Sequence, residues 1–318
     1  MELGVPPLFS ALRGARNVLI AGAGGGFDVY AGLPLAFALR ADGVDVHLGN
    51  LSFTPLELLD IDVFLAPNLA AVGPDVAGLD DYFPERTLAR WLRDAQMPAN
   101  VYAFAKTGVQ PLREAYRELV RRLDIDAIVL VDGGTDILMR GDESGLGTPA
   151  EDMTSLAAVN GLAEVPTRLV TCLGFGIDAY HGVNHSQVLE NIAALDRAGA
   201  YLGALSIPSA SAEALLYRSA VAHAQRHTPL RPSIVNGQIA AAVGGEFGDV
   251  RFTHRTAGSR LFVNPLMAIY FSFTVAGLAA RSLYLDRLED TLGMRQVAGR
   301  IEAFRAEVTP RAARAFPH

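Results

Sequence analysis

Residues 17–28, NVLIAGAGGGFD, decide the fold. Val18, Leu19, Ile20 and Ala21 form an aliphatic run with no polar alternation, as expected of a strand buried on both faces of a parallel sheet. Glycines come next at Gly22, Gly24, Gly25 and Gly26, and the run VYAGLPLAFALRADG then predicts a helix. Strand, glycine turn and helix make the first half of a βαβ unit. Residues 44–50, VDVHLGN, supply its second strand. The same alternation returns after residue 100, with strands expected at 101–105, 127–131, 168–173 and 201–207. Helices are expected at 109–123, 150–162 and 186–198, and from 209 to about 226. Residues 1–16 read as an amphipathic helix, 233–243 as a strand or mixed segment, 261–285 as an apolar helix and 286–306 as a polar helix. Such alternation predicts a doubly wound, mostly parallel Rossmann-like α/β sheet with helices on both faces.

The chain of 318 residues is enough for one large α/β domain or two smaller ones, since single cores stop growing at roughly 250–300 residues, and the continuous alternation favours one domain with an inserted segment. Residues 51–98 break the alternation. They carry Pro55, Pro67, Pro74, Pro84 and Pro98 and the acidic pair Asp80-Asp81, and read as an insertion or lid. Their apolar residues, Trp91 among them, still need something to pack on.

Half of the residues are hydrophobic, 19% are charged, and the net charge is -7. The sparse charged surface predicts a homo-oligomer. Lys106 is the one lysine, and no basic tract appears, which argues against a nucleic-acid partner. One cysteine, Cys172, excludes an internal disulfide and a four-cysteine zinc site and fits a reducing, cytoplasmic compartment. The N-terminus lacks the pattern of a signal peptide. The stretch 261–280 is about long enough to span a bilayer, but Asn264, Pro265, Ser272 and Thr274 interrupt it, so no membrane partner is expected.

In an open parallel sheet, ligands bind beyond the carboxyl ends of the strands. Three of the segments at those ends are glycine-rich and acidic: GAGGGFD (22–28), DGGTD (132–136) and GFGIDAYHGVNH (174–185). The glycines at Gly24, Gly25 and Gly26 and at Gly133 and Gly134 let a backbone approach a ligand, with Asp28, Thr135, Arg140 and Asn184 as further contacts. Asp132, Asp136 and Asp142, with Glu143 nearby, gather carboxylates that repel one another unless a cation, an arginine or a shared proton intervenes. Arg140 is the local arginine. A divalent metal such as Mg²⁺, held by Asp132, Asp136 and Asp142, is the other remedy. Catalytic roles fall to Asp136, Asp178 and His181, since histidine titrates near neutrality. His181 and His185 would share a helix face as a zinc pair, were Gly182 not between them.

The glycine turn matches the dinucleotide fingerprint only loosely. Phe27 stands at its final glycine, and Asn50 stands where an NAD site wants a carboxylate. No G-x-S-x-G elbow or P-loop lysine motif is present.

Three long segments, AGAGGGFDVYAGLPLA (21–36), VDGGTDILMRGDESGLGTPAED (131–152) and GFGIDAYHG (174–182), resemble the uncharacterised domain-of-unknown-function family 1152. The resemblance implies one continuous domain and carries no activity, cofactor or residue role. The residues themselves lead to an enzyme acting on a small polar metabolite, by a hydrolase or lyase-type reaction in a cleft rich in glycine and aspartate. An NAD(P)-dependent oxidoreductase and a non-catalytic nucleotide or metabolite sensor are the alternatives.

Overall fold

The computed structural model describes residues 4–78, 81–251 and 262–315; Asp80 and Leu261 lie outside them. Helices in chain order are α1 (Pro7–Ala11), α2 (Asp28–Ala31), α3 (Leu33–Ala41), α4 (Pro84–Asp94), α5 (Val109–Leu123), α6 (Pro149–Asn160), α7 (His185–Arg197), α8 (Ala212–His227), α9 (Ile234–Val243), α10 (Val275–Arg281) and α11 (Met294–Glu307). Strands are β1 (Asn17–Gly22), β2 (Asp45–Leu51), β3 (Phe64–Ala66), β4 (Leu69–Val72), β5 (Val101–Phe104), β6 (Ala127–Asp132), β7 (Thr167–Cys172), β8 (Tyr201–Ser206), β9 (Gly248–Asp249), β10 (Phe262–Val263) and β11 (Ile269–Thr274).

Nine of these strands form one sheet in the order β3-β4-β5-β2-β1-β6-β7-β11-β8. The five central strands, β5-β2-β1-β6-β7, are parallel, and β1 pairs with β2 on one side and β6 on the other. The chain builds outward from β1 through β2 to β5, then returns to the far side of β1 with β6 and β7. This reversal is a topological switch point, where the βα loops of β1 and β6 diverge and leave a crevice.

Successive residues of a strand face opposite sides, and β1 shows what this does to the core. Leu19 and Ala21 join the apolar layer under α5, α6 and α11, while Val18 and Ile20 join the layer under α3, α4 and α8. Both layers are apolar, which is why β1 and β6 carry aliphatic residues without alternation.

Four sequence expectations need correction. The stretch 261–285 is not one apolar helix. It contributes β10, a 3₁₀ turn at Pro265–Ala268 and β11, and its α-helical part is α10. β11 lies antiparallel between β7 and β8, so both its edges are paired, and the apolar run IYFSFT looks the same by hydrophobicity as a buried helix. Its aromatic and polar-β residues favour the strand, and Thr274 then caps α10 by accepting from the Gly277 amide at 3.2 Å. Second, residues 234–243 form α9 instead of a strand, started by the Ser233 hydroxyl, which accepts from the Asn236 amide at 3.0 Å. Third, the expected N-terminal helix shrinks to five residues, α1. Fourth, the polar C-terminal helix begins only at Met294, after a short 3₁₀ turn at Leu285–Leu288. Residues 51–98 build the sheet's edge through β3 and β4, and Trp91 of α4 packs on Phe37 with ring centroids 5.8 Å apart. No helix among the described residues is long and apolar enough to cross a membrane.

Candidate functional site

Five aspartates, Asp28, Asp132, Asp136, Asp152 and Asp178, converge at the carboxyl ends of β1, β6 and β7. Their proximity shows in how they perturb one another: Asp132 is raised by burial first, then by Asp152, Asp136, Asp28 and Asp178. Asp152, Asp178 and Asp136 are likewise pushed up, burial leading in each case. Asp28 rises to about 7, chiefly by burial and against the lowering effect of the Gly24 amide. Removing a carboxylate from water disfavours its charged form, and like charges add to that.

Four of the carboxylates are held by backbone. Asp28, the first residue of the one-turn α2, folds back on the glycine turn, where its Oδ2 accepts from the Gly24 amide at 2.7 Å. Asp132 Oδ2 accepts from the Ile137 amide at 3.3 Å. Asp136 Oδ2 accepts from the amide and hydroxyl of Thr148 at 2.7 and 3.1 Å. Asp178 Oδ2 accepts from the Thr135 amide at 2.6 Å. Asp152, in the first turn of α6, is the exception. It is buried, and its Oδ1 has no hydrogen-bond partner among the described residues.

Two of the glycines are explained by these carboxylates. A Cβ on Gly24 would sit 2.6 Å from Asp28 Oδ2 and 2.8 Å from Asp152 Oδ1. A Cβ on Gly134 would sit 2.5 Å from Asp178 Oδ2. These distances are below any real contact, so a side chain at either position displaces a carboxylate.

Oxygens of Asp28, Asp132 and Asp152 all lie within 4.8 Å of one another. Three carboxylate oxygens at that spacing suit a hard divalent cation, which takes oxygen ligands and neutralises the repulsion. The cluster opens into a cavity of about 510 Å³, into which Asp28, Asp178 and His181 face. Phe53 and Tyr82, both from residues 51–98, and Tyr180 give it aromatic walls. Lys106 Nζ stands 4.6 Å from the centre of the Phe53 ring and pairs with Glu151 at 2.5 Å.

A model of the family described as a protein of unknown function, DUF1152, covers residues 84–306, more than two thirds of the chain. The chain belongs to the DUF1152 family. No match to it was found among curated proteins. In this DUF1152 protein the matched region holds Asp132, Asp136, Asp152 and Asp178, while Asp28 and the glycine turn precede it.

Other expected site residues lie elsewhere. Asp142 is not brought to the aspartate cluster. Its carboxylate takes Arg140 Nε at 2.8 Å and Arg311 Nε at 3.0 Å, and these two guanidinium groups lower it to about 2, Arg140 contributing most. Arg140 is committed to that pair and so does not relieve the five aspartates. Beside it, buried Glu143 accepts from the Arg140 and Gly141 amides at 3.1 and 2.9 Å and from Asn191 Nδ2 at 2.7 Å. Sequence adjacency misleads here: the 3₁₀ turn at Asp136–Leu138 carries the chain away from the cleft. Asn184 caps α7, accepting from the Gln187 amide at 3.2 Å and donating to the Arg314 carbonyl at 2.9 Å. His181 and His185 do not share a helix face, because Gly182 between them has φ +85°; the His185 ring packs on Phe175 instead. The Cys172 thiol is buried and pushed well up, first by burial and then by Asp132, which suits a core residue.

Because Asp142 is a corner tie, Asp142→Asn should cost about 1–3 kcal/mol of stability, the worth of a well-hydrogen-bonded, part-buried ion pair. Its folded value lies below the ordinary one, so that contribution is present at neutral pH and disappears as pH falls through about 2. Urea unfolding at pH 7 measures the loss, and cation binding should be unchanged.

Asp152 carries no local signal of a site in the sequence. An acidic residue in the first turn of a helix is ordinary, since it complements the helix dipole, and TPAED has the look of such a start. Phe53, Tyr82 and Gln238 also line the cavity, and no motif marks them. Gln238 sits on α9, the helix expected to be a strand or mixed segment.

Proposed function

We propose that this DUF1152 protein is an enzyme acting on a small polar metabolite by a hydrolase or lyase-type reaction in the cleft at the carboxyl edge of its sheet. The observation that carries this reading is the cluster of five raised carboxylates at the switch point, of which Asp28 and Asp178 line one cavity. Packing alone does not ask for it: burying a charge is costly unless it is paired, and strongly perturbed groups in a cleft mark functional sites.

The roles are drawn from position. Asp28, Asp132 and Asp152 hold a divalent cation such as Mg²⁺. Asp178 and His181, which line the cavity, move protons at the substrate. Asp136, held by Thr148, keeps negative potential behind them. The aromatic walls give the substrate apolar surface to rest on.

A dinucleotide-dependent reaction has less behind it. Asp28 already takes the Gly24 amide that a phosphate would use. Asn50 donates to the Gly26 carbonyl at 2.8 Å and to Glu85 at 2.7 Å, so it serves the turn instead of a ribose. Five carboxylates beside the turn also repel a pyrophosphate.

The test is turnover. The protein with Mg²⁺ is incubated with a panel of small amides, esters and hydroxy acids, and products are followed by mass spectrometry. Cation-dependent turnover of at least one class is expected, falling about 10²–10⁴-fold in Asp178→Asn and kept in Asp142→Asn. Tight binding with no turnover of any class would favour a sensor, and an unchanged rate in Asp178→Asn would remove its assigned role.

A further inference from the structure

The aspartates account for only one part of the cavity. α9 begins at another: Ser233, Ile234, Val235 and Gln238 line it, because positions three and four apart share a helix face. Ser233 caps the helix by accepting from the Asn236 amide at 3.0 Å. The amides of Ile234 and Val235 have no partner inside the helix, as at any helix start.

Gln238 is the second observation. It is 1% exposed, yet its Nε2 has no hydrogen-bond partner among the described residues. Buried side-chain donors are rarely left in this state, and each such case calls for an unseen partner. No lysine or arginine is among the described residues lining the cavity, so this wall offers neutral donors only. Neutral donors near several carboxylates suit a singly charged or uncharged acceptor, and a phosphate dianion poorly.

We propose that Gln238 Nε2, with the first amides of α9, binds a carboxylate or carboxamide oxygen of the substrate. The substrate's other polar end then meets the aspartates. This rests on the reading of the cavity as a substrate cleft and narrows the class to small carboxylates and amides. Gln238 is a specificity-determining residue in this scheme, and the cation is held without it.

The experiment uses the ¹⁵N-labelled full chain, titrated with sodium acetate, acetamide and inorganic phosphate as probes. The Gln238 side-chain NH₂ signals are assigned by their loss in Gln238→Met, or in Gln238→Glu if the methionine variant does not fold. Acetate and acetamide are expected to shift those signals and the Ile234 and Val235 amides, with Kd on the order of 1–10 mM for ligands this small. Phosphate is expected to leave them in place, and Gln238→Met should weaken acetate binding about tenfold. Side-chain signals unmoved by both organic probes, or moved equally by phosphate, would overturn the proposal, as would unchanged acetate binding in the variant. A parallel Mg²⁺ titration reads the Gly24 and Gly133 amides. Failure there with an intact acetate response counts against the cation site alone, and the converse counts against Gln238 alone.

Discussion

Replacing Asp132 by asparagine is expected to make the cation-free protein more stable at pH 8, by about 1–3 kcal/mol, where most buried substitutions destabilise. The reason lies in what the five aspartates do without a cation. Each is either protonated at a pH where the unfolded chain would have released the proton, or charged beside other charges. Both states cost free energy. Asparagine keeps the volume, removes one charge, and can donate its amide to a neighbouring carboxylate. Asp132 is the best position for this because burial and four other aspartates all push it up. The same change removes one oxygen of the Asp28, Asp132 and Asp152 set. The variant should therefore gain nothing from added Mg²⁺, whereas the natural chain should gain about 2.7 kcal/mol at a hundredfold excess over Kd. Thermal unfolding with and without Mg²⁺ at pH 8 measures both halves. A destabilised variant that still responds to Mg²⁺ would show that Asp132 is an ordinary core hydrogen-bonding group.

The second large effect is on the pH dependence of stability. Asp28 has an ordinary value of 3.8 and a folded value of about 7. Between these limits the folded protein holds a proton that the unfolded chain has lost, so stability must fall as pH rises. The contribution is complete below about 4 and is lost as pH passes about 7. Asp132, Asp136, Asp152 and Asp178 act with the same sign. A decline of at least about 2–4 kcal/mol between pH 5 and pH 8, the share of Asp28 alone, is expected for the cation-free chain, since each extra proton held by the folded state changes stability by about 1.4 kcal/mol for every pH step of one. Saturating Mg²⁺ should flatten or reverse the slope, because a cation replaces the protons and binds more tightly as they leave. Urea midpoints across this range, with chelator and with Mg²⁺, make the comparison. A cation-free stability that rises from pH 5 to pH 8 would mean that the aspartates are satisfied by groups other than one another.

How much of this is legible in the sequence depends on whether the signal is local. The strand, glycine turn and helix at 17–41 are written in consecutive residues, and they point directly to the doubly wound sheet. Asp28, Asp132, Asp136 and Asp178 are visible because each closely follows a strand end. Asp152 is not, since its approach to Asp28 depends on how α6 packs beneath the first glycine turn. Asp142 fails in the opposite way: it is near Asp132 in sequence, but Arg311 from the C-terminal segment helps hold it elsewhere. The β11 segment is ambiguous because strand and helix buried on all sides share one hydrophobic pattern. Gln238 is hidden for a related reason, since the face it shares with Ile234 and Val235 exists only once 234–243 is helical.

Calorimetric titration of the metal-free protein with Mg²⁺ at pH 8 tests most directly whether the raised aspartates form a cation site. Run in two buffers of different ionisation enthalpy, it reads stoichiometry and proton release together. One Mg²⁺ per chain, with release of about one proton or more and loss of binding in Asp152→Asn, is the predicted result. No binding, or binding unchanged in Asp152→Asn and without proton release, would contradict it.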